Sequence, residues 1–526
     1  MANDPFEPFK DWLKARPTGE NWPWQTDKPL TDDQQRIVNA NAALLLNHEE
    51  WKAHVDAFEA ALAGVEDEEK RAAKRALYEI RFDSFEFPYG FEVFLQLHFP
   101  CAVSFYKVTF GEGAVSFDRA TFGEGAVSFI GATFGEGTVS FNGARFGEGT
   151  VSFTGATFGE GAVSFDRATF GEGNVSFDEA TFGEGNVSFT GATFGEGNVF
   201  FNGSTFGEGN VFFNEATFGE GDVSFRSATF GEGQVSFFAA KFHPATTMNA
   251  SAMTISGSLF VSCAFGSRVN FTQLKVGEVA SFAGSSFARV PDFRYSKLDR
   301  PPEVATMRVP PPDMARDPKR EAEARNKKLS RFSGFQPAQA CPPFQVTLDK
   351  EDVARYRALK AMAEQANDHE KAGEFFAYEM MAKRGVETTS FAGLFVNSVY
   401  RSLSGYGQDY VRPLIWMVVS FFVFFFGYLT IAVETTKPAD RSKFIEYSPF
   451  AASLSASNTV PLLGSLFRFA SVPKDHVSAY DRRYNELKKA GLPVDWIVRL
   501  SVLQSIIGGI LLFLFLLALR NRFRLR

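Results

Sequence analysis

The groups whose number and spacing come nearest to a chemical site are carboxylates. Glu112, Glu124, Glu136 and their successors to Glu232 recur every twelve residues, each held between glycines in the string FGEG. Stacked at about 4.8 Å, adjacent carboxylates repel by roughly 1 kcal/mol in water. A divalent cation bridging such a ladder relieves that repulsion, because calcium takes oxygen ligands. The plainer alternative is that the side chains splay into solvent and salt screens them, which needs no ion. FGEG opens no helix and so does not qualify as a dinucleotide fingerprint. Cys101, Cys263 and Cys341 are odd in number, scattered and without a CxxC pair, so neither a disulfide framework nor a thiolate zinc site is expected. His369 lies at a break between two helical patterns, where a solvated turn residue is the ordinary reading. With no nucleophile–base pair, phosphate-cradling loop or metal constellation, neither a catalytic residue nor a cofactor is expected, and the chain reads as a non-enzyme.

A second polar group stands in apolar text. Pro449–Phe469, PFAASLSASNTVPLLGSLFRF, has small hydroxyl residues at its centre and is too short and polar to span a bilayer. An apolar run flanks it on either side, which is the layout of the simplest ion channels. Ser457, Asn458 and Thr459 are therefore the candidate pore-lining residues. The potassium-filter string TVGYG is missing, and an interfacial helix on the outer surface is the competing expectation.

The rest of the text has to position these groups. A chain of 526 residues implies several domains, and its 61 phenylalanines signal an internal repeat. From Val103 to Phe242 the sequence repeats every twelve residues, as in AVSFDRATFGEG, with Phe at 105, 110, 117 and 122 and onward at alternating gaps of five and seven. Two residues before each Phe sits a smaller apolar residue. The unit is thus a block of small apolar, Ser or Thr, and Phe, used twice, and such a period signals stacked units. Phe105, Phe110, Phe117, Phe122, Phe158 and Phe165 are expected to face inward, with the glycines supplying positive φ or tight turns at the corners. After Phe242 the pattern decays through Phe260, Phe271, Phe282 and Phe293 to Leu298, as irregular closing coils.

The blocks VSF and ATF resemble the pentapeptide-repeat family, which implies a right-handed square β-helix with Phe and the residue two before it inward. The inserted Gly-Glu-Gly departs from that family and would make each square coil 24 residues. A narrower helix of twelve residues per coil is the rival. The strings YRALK, FFAYEMMAKR, SGYGQDYVRPL and LALRNRFRLR are similar to those of bacterial membrane-bound pentapeptide-repeat proteins, which implies a place in the bacterial inner membrane.

The expected organisation is a helical cap over 1–97, a solenoid over 98–298, a Pro-rich linker over 299–349 and a cytoplasmic helical segment over 350–411. Two transmembrane helices, 412–434 and 496–520, enclose an outer loop 435–495 with the half-buried stretch 449–470, and a basic tail 521–526 follows. In the cap, Thr31-Asp-Asp-Gln34 has the form of a capping box, and helices are expected through Ile37 and Leu44, through Trp51, Val55 and Phe58, and through Ala73, Leu77 and Ile80. The first thirty residues hold no apolar signal-peptide core, so everything before the first apolar helix is expected in the cytoplasm. Lys383, Arg384, Arg401 and Arg412 before the first helix, and Arg520, Arg522, Arg524 and Arg526 after the second, agree with that orientation.

In the second helix Ser501, Ser505 and Gly509, with Gly508 beside them, form a stripe of small residues suited to close helix packing, within the hairpin or between copies. Beyond the lipid bilayer, a homo-oligomer and an unidentified protein are the expected partners. A net charge of −7 gives no case for nucleic acid. Two functions stay open: an anchored scaffold presenting the solenoid to a protein, and an oligomeric ion channel or pore with the solenoid as its sensing domain.

Overall fold

The computed structural model describes residues 48–75, 79–84, 86–89, 94–316, 345–434, 451–452, 454–456, 458–459 and 494–523. The capping box and the helix through Ile37 and Leu44 lie outside these, as does most of the outer loop. Seven described helices are named in chain order: α1 His48–Ala63, α2 Glu68–Arg75, α3 Asp352–Gln365, α4 His369–Ala382, α5 Phe391–Ser404, α6 Val411–Glu434 and α7 Val494–Phe523. The chain divides into two compact units, Met1–Pro311 with Arg357–Asp368, and Pro312–Tyr356 with His369–Arg526.

In the first unit, strand register decides how the repeat is wound. Val103 pairs in parallel with Val127, and Val127 with Val151, so one coil is 24 residues. A twelve-residue coil would have paired Val103 with Val115. Each coil is a square of four two-residue strands, such as Val127–Ser128, Thr133–Phe134, Val139–Ser140 and Arg145–Phe146. Alternation along VSF turns Val and Phe inward and Ser outward. The result is a β-solenoid with ten strands stacked on one face.

The phenylalanines form four columns of two kinds. Rings of VSF blocks stack on equivalents one coil away, Phe129 on Phe153 at 4.7 Å, and also meet the opposite column edge-on, Phe129 on Phe141 at 5.6 Å and 85°. Rings of ATF blocks, such as Phe134 and Phe158 at 4.7 Å, stack closely only along their own column. Stacked and edge-on pairs are the favourable aromatic geometries, each contributing about 0.5–1.5 kcal/mol beyond area burial.

The FGEG glycines serve close approach of coils more than positive φ. Positive φ falls two residues after the Phe of each VSF block, at Gly131, Gly143 and Gly155 but also at Arg119, Arg167 and Glu179. Of the glycines in FGEG, only Gly113 has positive φ. The others are needed because a Cβ would collide with backbone in the coil beneath: Gly161 would meet the Gly137 carbonyl, and Gly149 that of Gly125. A side chain there would force the coils apart.

The solenoid is longer than the repeat. Glu79–Arg81 pairs with Ala102–Ser104, so strands begin inside the segment expected to be helical. The third expected cap helix is correspondingly short: α2 ends at Arg75 and Ile80 lies in a strand. Phe82, Phe87, Phe94 and Phe99 stack on Phe105, Phe110, Phe117 and Phe122 at 4.5–5.1 Å. At the far end the glycine insertion disappears and coils shorten, Met248 pairing with Val269 and Lys275 with Lys297. Val304, Met307 and Val309 are still buried and Ser286 bridges Arg308, so the rod passes the expected boundary at 298. The helix α1 buries Val55, Phe58 and Leu62, and its Glu59 reaches Arg75 at 3.4 Å and His98 at 3.7 Å. At the other end, Gln365 Nε2 donates to Leu298 O at 2.8 Å.

In the second unit, Met314–Arg316 pairs antiparallel with Gln345–Thr347, giving the linker an ordered base. Asn367, which belongs to the first unit, is left-handed (φ 55°) and follows α3 where the helical pattern breaks in the sequence. Ser390 caps α5 by accepting from Gly393 N at 3.1 Å, and Gly405 in the left-handed region ends it. Both α6 and α7 contain stretches long and apolar enough to cross a membrane, Val411–Ile431 and Arg499–Asn521.

Candidate functional site

Polar groups that converge inside the second unit make two clusters, one near each end of the apolar helix pair. The first centres on Gln504, which α7 places among leucines and isoleucines and which is fully buried. Residues 451–452, 454–456 and 458–459 are helical and lie against Tyr428 and Leu429 through Ala451 and Leu454. Tyr428 Oη donates to Gln504 Oε1 at 2.8 Å. Gln504 Nε2 faces Ser455 O at 3.0 Å, Ser455 Oγ at 2.8 Å and Thr459 Oγ1 at 2.9 Å. Ser455 Oγ in turn donates to Phe421 O at 2.7 Å. One amide thus joins α6, α7 and the intervening segment, with both its oxygen and its nitrogen engaged inside the protein.

Two of the candidate pore residues, Asn458 and Thr459, belong to this cluster. Asn458 Nδ2 donates to Ser501 Oγ at 2.7 Å, and Ser505 Oγ donates to Asn458 Oδ1 at 3.3 Å. Thr459 is buried and its hydroxyl also donates to Ser455 O at 2.8 Å. Ser457 lies outside the described residues. Ser501 and Ser505 face the 451–459 segment. Within the hairpin, the close approach beside the small-residue stripe falls on Gly508, whose Cβ would come within 2.5 Å of Thr459 O. A Cβ at Gly509 would meet nothing within 4 Å. Residue spacing alone does not distinguish these neighbours; the partner backbone does.

The second cluster was not signalled by composition. Gly405, Tyr406 and Gly407 are consecutive left-handed residues (φ 54°, 61° and 79°), a sharp turn between α5 and α6. It swings Tyr406 inward, so its Oη donates to Asn397 Oδ1 at 2.8 Å while Asn397 Nδ2 donates to Met380 O at 3.0 Å. Asn521 Nδ2, near the end of α7, donates to Gly407 O at 2.9 Å. Beside them Arg384 is wholly buried, with Nε donating to Gln345 O at 3.1 Å. Burial pulls its guanidinium below the ordinary value; the adjacent Tyr406 oxygen opposes that, although Nη1 and Nη2 lack an acceptor at hydrogen-bonding geometry. The glycines of SGYGQDY were the available signal for this turn.

In the solenoid, Phe105, Phe110, Phe117, Phe122, Phe158 and Phe165 all point inward and are at most 1 % exposed. The Glu ladder stands at the surface. Glu184 Oε2 accepts from Glu208 N at 2.9 Å, Glu124 pairs with Arg75, and Glu220 faces His243 at 3.6 Å. Among the described residues no group of three His, Cys, Asp or Glu side chains is arranged to hold a metal ion. Compared with models of known protein families and with curated proteins, the chain matches none.

Proposed function

We propose that this chain is a non-enzymatic, membrane-anchored scaffold of the pentapeptide-repeat kind, carrying its solenoid as an interaction surface for a protein partner. The reading includes a place in the bacterial inner membrane, with the solenoid and both ends in the cytoplasm, as the basic flanks favour. The observation that carries it is the closed polar cluster around Gln504. A pore must present polar groups to an ion, whereas here Asn458 and Thr459 bond to Ser501, Ser505 and Gln504. That arrangement fixes a helical hairpin, as an anchor requires.

An oligomeric pore retains one supporting observation. Gly427 and Gly509 have open space over their Cα atoms, which suits helix contacts between copies. Reconstitution in planar bilayers separates the readings. The scaffold predicts no current under voltage or tension, and an Asn458→Ala variant that loses thermal stability without gaining or losing conductance. Ion-selective current altered by Asn458→Ala would establish the pore instead.

A further inference from the structure

We infer that α5 lies in the headgroup layer of a lipid bilayer with its apolar face turned toward the acyl chains, so that the protein grips the membrane surface beside its spanning helices. This rests on the anchored reading and deepens it by assigning a lipid surface to a helix outside both spans. The exposed positions of α5 are Phe391, Ala392, Phe395, Val396, Val399 and Ser402. Their spacing is that of a single helical stripe, and it holds no charge. Phe391, Phe395 and Val396 are 56 %, 52 % and 65 % exposed. The buried side holds Leu394 together with the polar Asn397, Ser398 and Ser404, so the wider apolar stripe is the one left uncovered. A helix bathed in water has these faces the other way round.

Chain geometry sets the level of this stripe. Trp416 Nε1 donates to Ser402 O at 3.3 Å, and Arg412 Nη1 to Arg401 O at 3.3 Å. These bonds hold the end of α5 against the first turns of α6, where apolar exposure begins at Val411, Leu414 and Ile415. The stripe is therefore continuous in level with the lipid-facing surface of α6. Trp is the residue enriched at the membrane interface. Arg401 stands at the same level and complements anionic headgroups, while Arg412 is paired with Asp409 at 2.8 Å. An amphipathic helix so placed buries its apolar side at the boundary of headgroups and acyl chains.

The test is nitroxide accessibility in the full chain, reconstituted in vesicles of phosphatidylcholine and phosphatidylglycerol. Spin labels are attached at Val396→Cys, Val399→Cys, Phe513→Cys and Glu160→Cys, each in a Cys341→Ser background. Cys101 and Cys263 are buried, and burial pushes the Cys263 thiol up to about 12, so it stays unlabelled. The expected result is a shift from collisions dominated by water-soluble nickel chelate at Glu160 to collisions dominated by oxygen at Val396, Val399 and Phe513. Nickel-dominated labels at Val396 and Val399 with an oxygen-dominated Phe513 would overturn the inference and leave the anchor standing. A nickel-dominated Phe513 would remove the anchor and the inference with it. Labels at Val396 and Val399 shielded from both reagents would also overturn it, by showing that a second copy covers the stripe.

Discussion

Replacing one core phenylalanine tests whether the two kinds of ring column differ as their geometry requires. Phe165 stacks on Phe141 and Phe189 at 4.8 and 5.0 Å and also meets Phe153 and Phe177 edge-on at 5.4 and 5.3 Å. Phe158 has the two stacked partners, Phe134 and Phe182, but only a tilted contact with Phe153 at 6.2 Å. Truncating a buried Phe to Ala costs about 3–5 kcal/mol, rising as the site becomes less able to collapse. Backbone ladders fix the coil spacing here, so neither site can close, and both values belong in the upper part of that range. The two further edge-on pairs of Phe165, at about 0.5–1.5 kcal/mol each, make Phe165→Ala costlier than Phe158→Ala by roughly 1–3 kcal/mol. Asp166→Ala removes a half-exposed carboxylate that accepts from Thr190 N at 2.9 Å and from Ser188 Oγ, a loss of about 1.5–3 kcal/mol. Hydrogen exchange of peptides covering 139–189 in the intact protein reads all three, because each coil contacts only its neighbours. Equal protection loss in the two Phe variants would refute the column argument, and an Asp166 effect as large as either would refute the inward assignment.

Three further outcomes follow from features of the same structure. Gly161→Ala should open the coils around it and abolish local protection from exchange. Gly155→Ala, where φ is +63° but nothing lies within 4 Å, should cost only about 1 kcal/mol in the same measurement. Gln504→Leu should lower thermal stability in detergent by about 1–3 kcal/mol, because Tyr428, Ser455 and Thr459 lose a buried partner; an unchanged melting temperature contradicts the cluster. Glu59 is held below the ordinary carboxylate value, chiefly by the hydrogen bond from His98 and also by the charge of Arg75. Its contribution is therefore present above the unfolded value of about 4.3 and lost as pH falls through the depressed folded one. Exchange in α1 should accelerate below that point, and Glu59→Gln should remove the dependence.

Much of this architecture could be read from residue spacing. The alternating five- and seven-residue Phe gaps, with small apolar residues two before each ring, already demand stacked coils and inward rings. Phe82, Phe87, Phe94 and Phe99 have the same gaps, but they lack VSF and FGEG text, so the first coil was hidden behind an apolar pattern that also fits helix. The glycine of FGEG is legible as a necessity; its reason, the nearness of the coil beneath, is a three-dimensional fact. Toward the C-terminus, the two apolar runs and the polar Gln504 within one of them stand out in the text. That Gly508 rather than Gly509 receives the segment through Asn458 depends on helix rotation, which one residue of spacing cannot resolve. Arg384, legible in the text only as one of several basic flank residues, is wholly interior, which its charge alone does not foretell.

The mismatch between repeat and coil has a consequence for how such a rod can change length. The repeating unit is twelve residues and the register is 24, so one unit is half a coil. Gain or loss of one unit preserves every inward Phe, because VSF and ATF blocks simply exchange places with their equivalents across the square. It lengthens or shortens the rod by about 2.4 Å, half the strand spacing. It also turns everything beyond that point through half a revolution about the rod axis relative to α1 and α2. An even number of units changes reach while keeping the azimuth; an odd number reverses which way the far end faces. Variation in unit number is thereby a two-state choice of direction superimposed on a graded choice of length.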